Sequence, residues 1–112
     1  RHVYFMTVNT NALVEMKKLL PFAGYCHGAE RSNKEMIDLA ITNGIKKVQF
    51  VTWYPYDKEM VELCHNNGIA CNICLANKPG DAKMLLDMGF DCILTNDYHT
   101  VKSGLEEYGV YL

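Results

Sequence analysis

The sequence predicts an α/β fold of five strand–helix units whose strands run parallel. Short β-branched and aromatic runs alternate with amphipathic helical stretches. A glycine closes each of the last four helical stretches, and the strands are nearly continuous in apolar residues, as in the "VQFVTW" of residues 48–53. Strict alternation of this kind implies right-handed crossovers between parallel strands.

The strands fall at residues 3–8, 22–27, 48–53, 69–75 and 90–95. Between them, sets such as Ala12, Leu13, Met16, Leu19, Leu20 and Met60, Val61, Cys64 recur at spacings of three and four, which places them on one face of a helix. Ser32-Asn33-Lys34-Glu35 has the form of a capping box, with the Ser32 hydroxyl accepting from the Glu35 N–H. Asn11 and Asp57 are expected to cap the helices they precede. Asn43-Gly44-Ile45, Asn67-Gly68-Ile69, Met88-Gly89-Phe90 and Tyr108-Gly109-Val110 each put glycine where a helix needs a left-handed residue before its exit.

Two architectures satisfy this pattern: an open five-stranded sheet of the flavodoxin type, and part of an eight-stranded barrel. In both, the chemistry belongs at the C-terminal ends of the strands. No Gly-rich phosphate loop follows the first strand, which argues against a nucleotide-binding open sheet.

Composition narrows the function. The 112 residues are 49% hydrophobic and 21% charged, as expected of one globular domain rather than a disordered chain. A net charge of -2 without clustered Lys or Arg gives no footprint for nucleic acid. No apolar run reaches the roughly 20 residues that span a bilayer. The chain opens at Arg1 and enters a strand pattern almost at once, which leads to the expectation of a preceding segment, and of any targeting signal within it. Five cysteines, Cys26, Cys64, Cys71, Cys74 and Cys92, are an odd number, four of them inside apolar patterns. They read as reduced core thiols and point toward a reducing compartment such as the cytoplasm.

The run "VELCHNNGIACNICLANKPGDAKMLLDMGFDCILTN" from Val61 resembles the C-terminal signature of the glycerophosphodiester phosphodiesterases. In that family a helix ends in an alanine–histidine pair and a glycine, a strand closes on Trp-Thr-Val-Asn, and a further helix leads to Gly-Val-Asp-Gly-Ile-Ile-Thr-Asp. Cys64-His65 and Gly68 match the first element, Asn77 the second, and Gly89, Asp91, Ile93 and Thr95 the third. "FMTVNTNAL" is similar to the family's Ser-Phe-Asp segment, with Thr7 and Asn9 in the polar places. The family tryptophan falls at Cys74 and its last aspartate at Asn96. The order matches strands four to eight of a TIM-type (β/α)8 barrel, so the resemblance implies a partial barrel of about five βα units.

It also implies a parent activity: metal-dependent hydrolysis of a glycerophosphodiester to glycerol 3-phosphate and an alcohol, a reaction of lipid metabolism. The family's divalent-metal ligands (for Mg or Ca) and its catalytic histidine pair lie in its first three strands, upstream of this segment. These residues would then form walls of the substrate pocket, with Trp53, Tyr54, Asn9 and Asn77 as candidate contacts. Trp53, Tyr54 and Tyr56 flank Pro55 at a strand end, where they suit either the alcohol half of a ligand or a packed loop anchor. Asn77 suits a phosphate or hydroxyl contact, or the cap of the helix opening near Pro79. Trp53 and Asn77 are expected to face one cavity.

Other readings stay open beside this one. A non-catalytic open-sheet binding or regulatory module is the first, to be discriminated by the neighbours of the first and last strands. A small metal-dependent hydrolase using His27, Asp97 and His99 is the second; the bland reading of those three is solvated loop residues. Cys71 and Cys74 are spaced like zinc ligands, but three positions along a strand point to opposite faces, so they read as packing. His65 reads as structural near a helix C-terminus, and His2 as a solvated terminal residue. A barrel fragment leaves edge strands and an inner apolar face uncovered. Its partner is expected to be the missing N-terminal barrel half, or a homo-oligomer pairing edges at 3–8 or 90–95.

Overall fold

A computed structural model describes residues 4–74 and 79–111. The elements alternate without exception: β1 (Tyr4–Thr7), α1 (Thr10–Leu19), β2 (Gly24–Gly28), α2 (Asn33–Asn43), β3 (Lys47–Val51), α3 (Lys58–Asn66), β4 (Ala70–Cys74), α4 (Pro79–Met88), β5 (Cys92–Leu94) and α5 (Tyr98–Glu107). All pairings are parallel, and the strand order is β1-β2-β3-β4-β5. A flavodoxin-type sheet reverses direction after its first unit. Here the order never reverses, so right-handed crossovers lay every helix on one face, as in a barrel wall. β1 and β5 are the edges of this sheet, and among the described residues neither has a neighbour on its outer side.

The strand period of two sorts the side chains. One set of rows, Phe5–Tyr25, Val48–Cys71 and Phe50–Ile73–Ile93, faces the helices and joins Leu13, Met36, Ile37, Ala40, Val61, Cys64, Leu85, Val101 and Leu105 in one core. Phe50 sits at its centre, fully buried, with the Phe90 ring edge-on at 5.0 Å between centroids. The other set, Met6–Cys26–Lys47–Ala70, Gln49–Asn72–Cys92 and Val51–Cys74–Leu94, lines the opposite, concave face. Among the described residues no layer covers that face, and Tyr4, Met6 and Leu94 on it are 45–59% exposed. The Tyr4 ring lies across Gly24, where a Cβ would run into it, and the Lys47 ammonium stands 3.9 Å from the ring centroid. A radius of gyration of 14.5 Å against about 13 Å for a compact chain of this length reflects the open wall.

The helix ends follow the local chemistry. Ser32 and Asp57 cap α2 and α3 by accepting from the N–H groups of Glu35 and Met60. Gly44, Gly68, Gly89 and Gly109 all have φ between 68° and 103°. The cap of α1 differs from expectation. Asn9, not Asn11, accepts from the Ala12 N–H at 3.1 Å, because the helix begins at Thr10 and Asn11 is already inside its first turn. The thiols also differ from expectation at one place: Cys26, Cys64 and Cys71 are buried and Cys74 half-buried, but Cys92 is exposed, because β5 is an edge strand that turns it to the uncovered face.

Candidate functional site

The C-terminal ends of the strands gather the segments after β1, β2, β3 and β5. Their positions are set by side chains that bond across elements, and Asn33 does most of this. It is the first residue of α2 and has no exposure. Its Oδ1 accepts from the Val51 N–H at 3.0 Å, and its Nδ2 donates toward the carbonyls of Val51, Tyr54 and Pro55 at 3.0, 3.3 and 3.1 Å. One amide thereby fixes the turn from Val51 to Pro55, which carries Trp53 and Tyr54.

The Tyr54 hydroxyl donates to the Glu30 carbonyl, tying the same turn to the loop after β2. Its phenol is thus a loop anchor at one end. Trp53, by contrast, is 61% exposed, its ring 6.3 Å from that of Tyr54. Asn9 caps α1 and lines a cleft of about 530 Å³ that opens between α1 and α2 beside Thr10, His27, Arg31 and Glu35. Asn77 lies outside the described residues, and with it the expectation that it shares a cavity with Trp53.

His27 is not a loop residue. It is buried on β2, on the helix-facing side, with its Nδ1 2.8 Å from the Gly28 carbonyl and its Nε2 2.7 Å from the Thr10 hydroxyl. A carbonyl only accepts, so Nδ1 carries the hydrogen and Nε2 takes the Thr10 proton in a second bond. Both ring nitrogens are occupied, and the Nε2 bond holds α1 against β2. Asp97 caps α5 through the Thr100 N–H, and the exposed His99 packs edge-on against Tyr98. His27, Asp97 and His99 therefore do not form a metal site: the histidine is turned into the helix layer, three strands from the other two. Cys71 and Cys74 face opposite sides of β4 as their spacing requires.

Among the described residues, one group can approach a cation together, and it stands at the other end of the sheet: His65, Cys71 and Asp91, with ligand atoms all within 4.8 Å. No cluster of carboxylates and histidines of that kind stands at the strand C-terminal ends of the described residues. The described part of this segment does not, by its own side chains, fit the hard, oxygen-ligated ion that the resemblance implies.

No family model matches the sequence, and no curated protein does. Solved structures match it closely in shape. A protein of Silicibacter pomeroyi assigned to the glycerophosphoryl diester phosphodiesterases superposes with a TM-score of 0.81 over 95% of this chain at 16% identity. An Oleispira antarctica phosphodiesterase, solved with its product sn-glycerol 3-phosphate, gives 0.80 over 94% at 16% identity. The glycerophosphodiester phosphodiesterase of Parabacteroides distasonis gives 0.63 over 92% at 20% identity. The chain has the fold of part of these barrels. It spans 38–43% of their lengths, a share consistent with a C-terminal part. The partial barrel of five βα units implied by the resemblance is thus the fold observed, and of the two architectures the residue pattern left open the sequential strand order excludes the flavodoxin-type sheet.

Proposed function

We propose that these 112 residues form part of the wall of a phosphodiesterase barrel that hydrolyses glycerophosphodiesters to glycerol 3-phosphate and an alcohol. The supporting observation is the sequential parallel sheet, with helices on one face and no helix of the described residues on the other, superposing on about two fifths of such barrels. In this reading the segment supplies substrate-facing side chains. Trp53 walls the alcohol half of the ligand. Tyr54 and Asn33 position that wall, and Asn9 and Asn77 contact the phosphate or the glycerol hydroxyls. Acid/base histidines and the ligands of a divalent ion, Mg²⁺ or Ca²⁺, come from strands outside these residues; such an ion would polarise the phosphoryl oxygens.

The same reading assigns the uncovered face its partner: the N-terminal barrel strands, in the same polypeptide or as a second chain. The test is release of glycerol 3-phosphate from glycerophosphocholine with added Mg²⁺ or Ca²⁺. Residues 1–112 alone are expected to release none, and the same residues joined to the preceding strands are expected to release it. Turnover by the segment alone would overturn the division of labour. Inactivity of the joined barrel toward glycerophosphocholine, glycerophosphoethanolamine and glycerophosphoglycerol would overturn the hydrolase reading.

A further inference from the structure

At the N-terminal end of the sheet, away from the loops discussed above, three side chains of different chemistry converge. Asp91, just before β5, is held by β4 through two bonds: its N–H donates to the Cys71 carbonyl at 2.8 Å, and its Oδ2 accepts from the Cys71 N–H at 2.7 Å. The same Oδ2 lies 2.9 Å from His65 Nε2, in the last turn of α3. Cys71 contributes a thiol that is fully buried, whereas His65 and Asp91 are half-exposed and line a groove with Gly68, Ile69 and Ala70. Nothing stands where a side chain at Gly68 would begin, so the groove is open to solvent beside His65 and Asp91.

We propose that His65, Cys71 and Asp91 bind a borderline divalent cation such as Zn²⁺, through Nε2, Sγ and a carboxylate oxygen, with solvent at the fourth position. Around a tetrahedral ion with Zn–N of about 2.0 Å and Zn–S of about 2.3 Å, such atoms sit roughly 3.3–3.6 Å apart. The three ligand atoms already lie within 4.8 Å of one another, and the half-exposed His65 and Asp91 are the two that would turn toward the buried Sγ to close the set. A thiolate, an imidazole and a carboxylate are the donor set that zinc takes and that Mg²⁺ or Ca²⁺ does not. The site is therefore separate in chemistry as well as in position from an oxygen-ligated ion serving phosphodiester hydrolysis.

One feature around the cluster favours a cation there. The paired bonds between Asp91 and Cys71 preorganise the carboxylate, as outer hydrogen bonds do in metal sites.

The test is titration of the full chain with Co²⁺, whose thiolate complexes absorb in the near ultraviolet, followed by displacement with Zn²⁺. One equivalent is expected to bind with a thiolate band that Zn²⁺ abolishes. Cys71→Ser should lose the band, His65→Gln should weaken Co²⁺ binding by tenfold or more, and Cys92→Ser should change neither. No thiolate band, a band that survives Cys71→Ser, or one that disappears with Cys92→Ser would overturn the site. His65 is half-exposed, so His65→Gln tests the proposal even if Cys71→Ser fails to fold; unchanged affinity in that variant also overturns it.

Discussion

Asn33→Ala removes a residue whose importance lies wholly in what it bonds. Its amide holds four backbone groups of the Val51–Pro55 turn, and because Nδ2 has two hydrogens, the three carbonyl approaches amount to two donated bonds. Truncation loses about three bonds at roughly 1 kcal/mol each, and the Val51 N–H is left buried without an acceptor, which costs a further 1 kcal/mol or so. A loss of about 3–4 kcal/mol follows, a large share of the 5–15 kcal/mol typical of a domain. With a urea slope of about 1.5–2 kcal/mol per molar, the midpoint should fall by roughly 2 M. Asn33→Asp keeps the shape and the acceptor for Val51 but sets a carboxylate against three carbonyl oxygens, so it should be at least as damaging. The single tryptophan reports on the turn directly: fluorescence anisotropy of Trp53 should acquire a larger fast component in the alanine variant. A stability change under about 0.5 kcal/mol, or unaltered Trp53 motion, would refute the claim that this amide holds the turn.

Three further outcomes are expected. Burial raises the Cys26 thiol from 9.0 to about 11 despite the opposing Lys47 ammonium, so the unfolded chain ionises first. The stabilisation is complete below pH 9 and is lost as pH climbs toward 11, by roughly 2 kcal/mol, and urea midpoints of Cys26→Ala should show a correspondingly shallower alkaline decline than the parent. Gly44→Ala places a side chain at φ 68° and should cost about 1 kcal/mol, whereas Gly80→Ala, inside α4 with ordinary contact to Tyr108, should be neutral or stabilising by up to about 1 kcal/mol; thermal melts of the pair separate the two effects. Trp53→Ala should leave stability within about 0.5 kcal/mol because the ring is largely exposed, while in an active barrel it should raise KM for glycerophosphocholine; a collapse of stability would make Trp53 a packing residue instead.

Local chemistry was the most legible part of the sequence. Glycines followed by an apolar residue gave every left-handed helix end, and Ser32 and Asp57 were readable as caps because a cap depends on residues three positions away. The same rule misplaced the cap of α1 because Asn9 and Asn11 both fit it, and only the starting phase of the helix separates them. Asn33 was hidden by its own neighbourhood: a capping box assigns roles to Ser32 and Glu35 and none to Asn33, whose bonds are made to a turn 18 to 22 residues away. His27 is the last residue of the expected strand 22–27, where a side chain can belong to a solvated mouth, whereas β2 continues to Gly28 and turns the imidazole toward Thr10. The convergence of His65, Cys71 and Asp91 spans two crossovers, and no spacing rule connects a helix end with the starts of two strands.

The strand order also governs how the chain can come apart. Partners in the sheet, such as Tyr4 with Gly24, Lys47 with Ala70 and Asn72 with Cys92, are each about twenty residues apart, and no strand reaches past its immediate successor. The molecule is thus wired like a short solenoid, each unit leaning only on the next, so order can spread along the chain one crossover at a time. Loss of order should likewise start at the margins, first at the three-residue β5, and reach Phe50 and its strand last. Amide hydrogen exchange would then read as a gradient along the polypeptide, with the slowest sites clustered in the middle third instead of shared evenly among the five strands.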